Sequence, residues 1–204
     1  MTSNSQRRAV LVAALLIGAV ILAAGGFLGL GLRETPQGAA GTLLVSAIGG
    51  PFHLVDQNGK TVTDADLKGK WSLIYFGYTH CPDACPTALN DISIALDDLG
   101  PKRDAVRPVF ITVDPERDTA EVLKSYVTSF DAPILALTGT PQEIAQAAKD
   151  YRVYYAKHPE PGGDYAMDHS SVIYVMDPEG RFTASFTQEN SPEEIAERLK
   201  KLLT

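Results

Sequence analysis

Cysteine and clustered positive charge are both scarce in this sequence. Only two cysteines occur in 204 residues. Small secreted domains stapled by disulfides carry more, and a chain of this length can bury a core without bridges. The cysteines are therefore not needed as a scaffold. The formal net charge is -7, and no run of Lys and Arg appears. Neutralising phosphates takes clustered cations, so the charge balance argues against a nucleic-acid partner. It argues equally against broad binding to anionic lipid. No internal repeat or low-complexity tract occurs.

Charge and proline are also absent from Ala9 to Leu32, AVLVAALLIGAVILAAGGFLGLGL. About 20 apolar residues span a bilayer as a helix. Arg7 and Arg8 precede the stretch, and the positive-inside rule keeps that end in the cytoplasm. The expected organisation is a cytoplasmic N-terminus at 1–8, a transmembrane anchor at 9–32, a tether at 33–41 (RETPQGAAG) and a folded domain at 42–204. That arrangement is single-pass in a bacterial inner membrane, with the C-terminal domain in the periplasm. Two other readings stay open: a cleaved signal peptide, whose apolar core is usually about 7–15 residues long, and a twin-arginine export signal. The length of the stretch and the lack of an A-x-A site after it favour the anchor.

From residue 51 onward, strand and helix patterns alternate. Pro51 to Thr63 reads as a hairpin around Asn58-Gly59, a strong hairpin signal. Leu73 to Phe76 is a short buried strand ending at Gly77. Pro86 to Leu99 has helical spacing at Leu89, Ile92, Leu96 and Leu99. Val106 to Val113 predicts a second buried strand, Asp118 to Phe130 a helix, and Pro133 to Leu137 a third strand. Pro141 to Lys149 predicts a helix with Thr140 as N-cap. Val153 to Ala156 reads as an edge strand. Ser171 to Met176 and Phe182 to Phe186 form a hairpin, and Pro192 to Leu203 a last helix, capped by Ser191 with Glu194 completing a capping box. This order predicts an α/β fold: a thioredoxin-like central mixed sheet flanked by helices, behind the transmembrane helix. Ligand sites of such sheets lie beyond the carboxyl ends of their strands, where the loop Tyr78 to Ala84 falls.

That loop and the helix after it read FGYTHCPDACPTAL. With a helix starting at Pro86, where proline is favoured, Cys85 sits at or beside the N-cap. The helix dipole lowers the pKa of thiols placed there. A structural disulfide would close a loop of about five residues and stabilise by only roughly 2 kcal/mol, so a functional dithiol is expected. Redox pairs in this position usually have two residues between the cysteines; here there are three. The wider spacing still permits a disulfide and also lets both sulfurs face a third object. Two thiolates and an imidazole suit a soft ion such as Cu(I).

Four histidines could supply the imidazole. His53 alternates with apolar neighbours and reads as a half-buried strand residue. His158 lies in KHPEPGG and reads as a solvated loop residue. His80 abuts Cys81, and adjacent side chains diverge, which leaves it an outer or fourth-ligand role. His169, in YAMDHSSVIYVMD, precedes a central strand that packs beside the dithiol loop, and is the expected ligand. The plain alternative is that it caps a strand. Asp168 is a candidate to orient its ring.

YFGYTHCPDACP, VDPERDT and DHSSVIYVMDPEG together resemble the Sco/SenC family of copper chaperones, from about Gly50 to the C-terminus. The resemblance implies copper bound through Cys81, Cys85 and His169, as Cu(I) or also Cu(II), and service to assembly of the copper site in cytochrome c oxidase subunit II. It implies further partners, a periplasmic copper carrier or a thiol reductant. Asp114 and Asp118 of VDPERDT match as well, but read first as turn and cap residues. The alternative activity is thiol–disulfide exchange that keeps the oxidase subunit's copper-ligand cysteines reduced. A peroxidase and a closed four-ligand zinc site fit the residues less well.

Overall fold

The Asn58-Gly59 turn joins strands β1 (His53–Asp56) and β2 (Thr61–Thr63) of a computed structural model that describes residues 48–203. The Asp56 carboxylate accepts from the amides of Asn58 and Lys60 and closes this turn. A single helical turn, α1 (Asp64–Leu67), follows, and then β3 (Trp71–Gly77). The expected anchor at 9–32, the end at 1–8 and the tether at 33–41 lie outside the described residues. Among the described residues no helix is long and apolar enough to cross a membrane.

β3 is followed by α2 (Ala84–Asp98), a 3-10 turn at Gly100–Ala105, and β4 (Val106–Thr112). Then come α3 (Ala120–Val127), β5 (Leu135–Thr138) and α4 (Pro141–Asp150). β3, β4 and β5 run parallel, with Tyr75 opposite Phe110 and Gly77 opposite Thr112. β8 (Ile173–Met176) joins the other edge of β3 antiparallel, and β9 (Phe182–Phe186) pairs with β8. The sheet order is β2-β1-β5-β4-β3-β8-β9. α5 (Pro192–Leu202) packs against α2. This is the thioredoxin-like mixed sheet with helices that the sequence pattern predicts. β3 is buried on both faces, as a central parallel strand must be. Tyr75 and Gly77 turn toward α2, while Phe76 turns away and meets Tyr151 at the end of α4.

The caps expected at Thr140 and Ser191 are present, each with its capping box to Glu143 or Glu194. Three other expectations need correction. First, α2 begins at Ala84, not Pro86. Proline falls at the third helical position, where the amide would be free of any intrahelical bond anyway. Second, α3 begins at Ala120, because Thr119 supplies the cap and Asp118 is committed elsewhere. Third, the strand expected at Val153 to Ala156 is β6 (Tyr155–Pro159), and it does not edge the central sheet. It pairs with β7 (Tyr165–His169) in a separate two-stranded sheet. The Pro- and Gly-rich segment read as a loop is the tip of this hairpin. Gly162 and Gly163 turn it with φ of 96° and 90°, where a side chain would be strained.

Candidate metal centre

The site is built at the carboxyl end of β3. The chain leaves the strand at Gly77 and passes through Tyr78 to Asp83 before entering α2. Cys85, the second residue of the helix, is fully buried, while Cys81 in the loop is half-buried. The Cys85 amide donates to the Cys81 sulfur at 3.4 Å. The helix N-terminus therefore faces Cys81 rather than Cys85. His169 ends β7 and brings Nε2 to 3.4 Å from the Cys85 sulfur. The three donor atoms of Cys81, Cys85 and His169 lie within 4.8 Å of one another.

The two thiols are driven apart. The Cys85 thiol donates to Cys81, and His169 and the amides of Asp83 and Cys85 add to this, holding the Cys81 thiol down at about 3 against the opposing effect of burial. Cys85 is pushed up, by its hydrogen bond to Cys81 first and then by its own burial. The pair without metal thus holds one negative charge and one proton. A soft cation that replaces the proton gains a second thiolate.

His169 is set up to offer Nε2. Its Nδ1 faces the Ser170 carbonyl at 3.3 Å. A carbonyl only accepts, so when Nε2 serves a metal the ring proton on Nδ1 has this carbonyl as its partner. Tyr75 and Tyr78 present their rings edge-on to the imidazole at 5.9 and 5.8 Å. The orienting role expected of Asp168 falls to Ser170. Asp168 points the other way across the hairpin and pairs with His158 at 2.8 Å, both exposed. Alternation along a strand puts neighbours on opposite faces, which is why these two residues part.

The remaining histidines stay out of the cluster. His53 is exposed on β1 rather than half-buried. His158 is exposed as expected, but in β6 rather than a loop. His80 is exposed, its Nδ1 at 3.1 Å from the Thr79 hydroxyl. Among the described residues no fourth His, Cys, Asp or Glu joins the three, so the site stays open.

Asp114 and Asp118 do more than turn the chain. Asp118 is fully buried and accepts from the Thr79 amide at 3.0 Å, the Thr79 hydroxyl at 2.6 Å and the Thr112 hydroxyl at 2.6 Å. It clamps the dithiol loop to the end of β4. Asp114 accepts from the Tyr165 hydroxyl at 2.8 Å and pairs with Arg117. Arg117 donates to the Tyr165 carbonyl at 2.9 Å and stacks on the Tyr165 ring at 3.7 Å. This second clamp fixes the hairpin that carries His169. Thr79, Thr112, Arg117 and Tyr165 escape the sequence reading. The available signal was two acidic residues four apart directly after a buried strand.

The fold and site define a class: a thioredoxin-like domain with a Cys-Cys-His donor set where redox relatives keep a dithiol. The SCO1/SenC family model matches residues 41–204, and the chain belongs to that family. It is 44% identical over 157 residues to the mitochondrial protein SCO1 homolog 1 of Arabidopsis thaliana, covering 76% of this chain and 47% of that protein. It therefore spans about half the length of the plant relative. It is 41% identical over 197 residues to an SCO2-like protein of Rickettsia felis, covering 94% of each. Among solved structures, Bradyrhizobium japonicum ScoI with copper bound is 55% identical with a TM-score of 0.72, over 76% of this chain and 99% of that one.

Proposed function

We propose that this chain is a membrane-anchored copper metallochaperone, serving assembly of the copper site in cytochrome c oxidase subunit II. Cys81, Cys85 and His169 are its ligands, and Cu(I) is its cargo. The observation that carries the reading is the convergence of two sulfurs and one imidazole nitrogen within 4.8 Å. Soft sulfur donors with a single nitrogen favour Cu(I) over harder ions. Copper-bound ScoI, similar along this domain, supports it. Residues 9–32 would hold the domain on the periplasmic side of a bacterial inner membrane, within reach of an oxidase subunit, a copper carrier or a thiol reductant. Protease added to spheroplasts should then degrade the domain, and a protected domain would count against delivery there.

The test of the ligand set is a Cu(I) titration of the reduced chain in detergent, against a competing chelator, with and without His169→Ala. The chain should take one copper. Loss of an outer partner of a metal ligand typically costs 10–100-fold in affinity, and loss of the ligand itself should exceed ~100-fold. Unchanged affinity in His169→Ala would remove His169 from the site.

A second reading rests on the half-buried, thiolate-like Cys81. The same pair would act as a thiol–disulfide oxidoreductase on the oxidase subunit's cysteines. Disulfide exchange has no need of an imidazole, yet His169 stands 3.4 Å from the Cys85 sulfur, which favours the metal reading. His169→Ala should leave any disulfide exchange intact, so an exchange activity that survives while copper binding fails separates the two.

A further inference from the structure

Two buried hydroxyls, those of Tyr75 and Tyr126, make no hydrogen bond of normal length and angle among the described residues. Leaving a buried polar group unpaired costs about 1–3 kcal/mol, so such a group calls for an explanation. Tyr75 is 1% exposed. It stands two residues before Gly77 on β3, on the same face of the strand. The point where a Gly77 side chain would begin is 2.7 Å from the Cys85 sulfur and 3.0 Å from Tyr75 Cε1. The ring edge next to the hydroxyl and that sulfur therefore border the same point on β3. The same ring meets His169 edge-on. Burial foremost raises the phenol, and Cys85 and Ser171 are the side chains that act on it through hydrogen bonding. Tyr126 senses the cysteines only through charge.

We propose that the Tyr75 hydroxyl is the hydrogen-bond donor to the Cys85 sulfur when copper is bound. The inference deepens the copper reading and rests on it. With copper in place Cys85 is a thiolate that is 0% exposed, and hydrogen-bond donors beside the metal stabilise such a sulfur, the Tyr78 amide among them. Of the unpartnered buried hydroxyls, that of Tyr75 is the one set against this sulfur. A donor at a ligating sulfur withdraws electron density. It raises the energy of sulfur-to-Cu(II) charge transfer and stabilises the reduced metal.

The test uses the full chain in detergent, loaded with Cu(II) for absorption spectra and with Cu(I) for chelator competition. Tyr75→Phe should move the thiolate–copper band to longer wavelength and weaken Cu(I) binding about 10–100-fold, the usual effect of removing an outer partner. Tyr151→Phe removes another buried phenol on the opposite face of the sheet, 5.3 Å from Phe76, and should change neither. A ring-fluorinated tyrosine in place of Tyr75 keeps the hydroxyl, makes it a stronger donor, and should move the band the other way. This serves equally if the phenylalanine variant fails to fold. A band that stays put in both Tyr75 variants overturns the inference alone. A wild-type chain with no thiolate–copper band overturns the copper reading and this inference with it.

Discussion

The Thr79 hydroxyl donates to the Asp118 carboxylate at 2.6 Å, tying the loop that holds Cys81 to the segment before α3. The Thr79 amide and the Thr112 hydroxyl donate to the same carboxylate. The dithiol loop is therefore held in shape by a buried anion that is paired through hydrogen bonds rather than by a cation.

Asp118→Asn keeps the volume but turns one acceptor into a donor, so at least one of the three donors loses its partner. Leaving a buried donor without its acceptor costs about 1–3 kcal/mol. Urea denaturation should show a loss of that order. The Cys81 amide should exchange with solvent faster in the folded protein, and copper affinity should fall with it. A variant with wild-type stability would show that the Asp118 carboxylate does not bear on the loop.

Gly77→Ala probes the floor of the site. The added methyl would stand 2.7 Å from the Cys85 sulfur, 2.9 Å from Phe110 Cε2 and 3.0 Å from Tyr75 Cε1. All three neighbours are buried, so none swings away freely. Overpacking of this kind costs about 1–3 kcal/mol. Because the closest atom is a proposed ligand, copper affinity should drop by more than the stability loss implies. Thermal unfolding with and without copper measures both effects.

What the sequence made legible is local. The Asn58-Gly59 turn, the caps at Thr140 and Ser191, and the dithiol at a strand end depend on residues a few positions apart. The place of His169 near the dithiol is legible because it precedes a strand that pairs with β3. The clamps were not legible, because Asp118 reaches Thr79 across 39 residues and Tyr165 reaches Asp114 across 51. Burial is what turns those carboxylates from caps into anchors, and burial is a property of the folded chain. The β6–β7 hairpin was missed because its Pro and Gly residues read as a loop, whereas they make its tip.

Arg117→Met tests that hairpin. The methionine keeps much of the apolar stem and gives up the pair with Asp114, the bond to the Tyr165 carbonyl and the stacking on Tyr165. Asp114, buried, is left without its cation. The expected result is faster hydrogen exchange in Tyr165–His169 with little change in β3 and β4. Copper affinity should fall because His169 is no longer held in place, whereas the Cys81–Cys85 dithiol should still form a disulfide. Unchanged exchange at the hairpin would refute the clamp.

The proton count of copper binding should report the asymmetry of the two thiols. Cys81 sits at about 3, held there first by the Cys85 thiol, and so is already a thiolate at neutral pH. Cys85 is pushed upward, by its bond to Cys81 first, and keeps its proton. A copper ion that binds both sulfurs therefore releases one proton from the dithiol, not two. Affinity must rise with pH, since the proton is a product of binding. The slope is about tenfold per pH unit, because each tenfold change in the equilibrium is one proton's worth. Cu(I) competition titrations between about pH 7.5 and about pH 9 measure it, within the range where an ordinary thiol near 8.5 would begin to lose its proton. Two ordinary thiols would give a slope near two decades per unit at the lower end, flattening toward the upper end. A steady slope of one, with Cys81 alkylated by iodoacetamide well before Cys85, is the signature of the shared proton. A slope near two, or equal alkylation of both thiols, would mean that the folded chain does not set the two sulfurs apart.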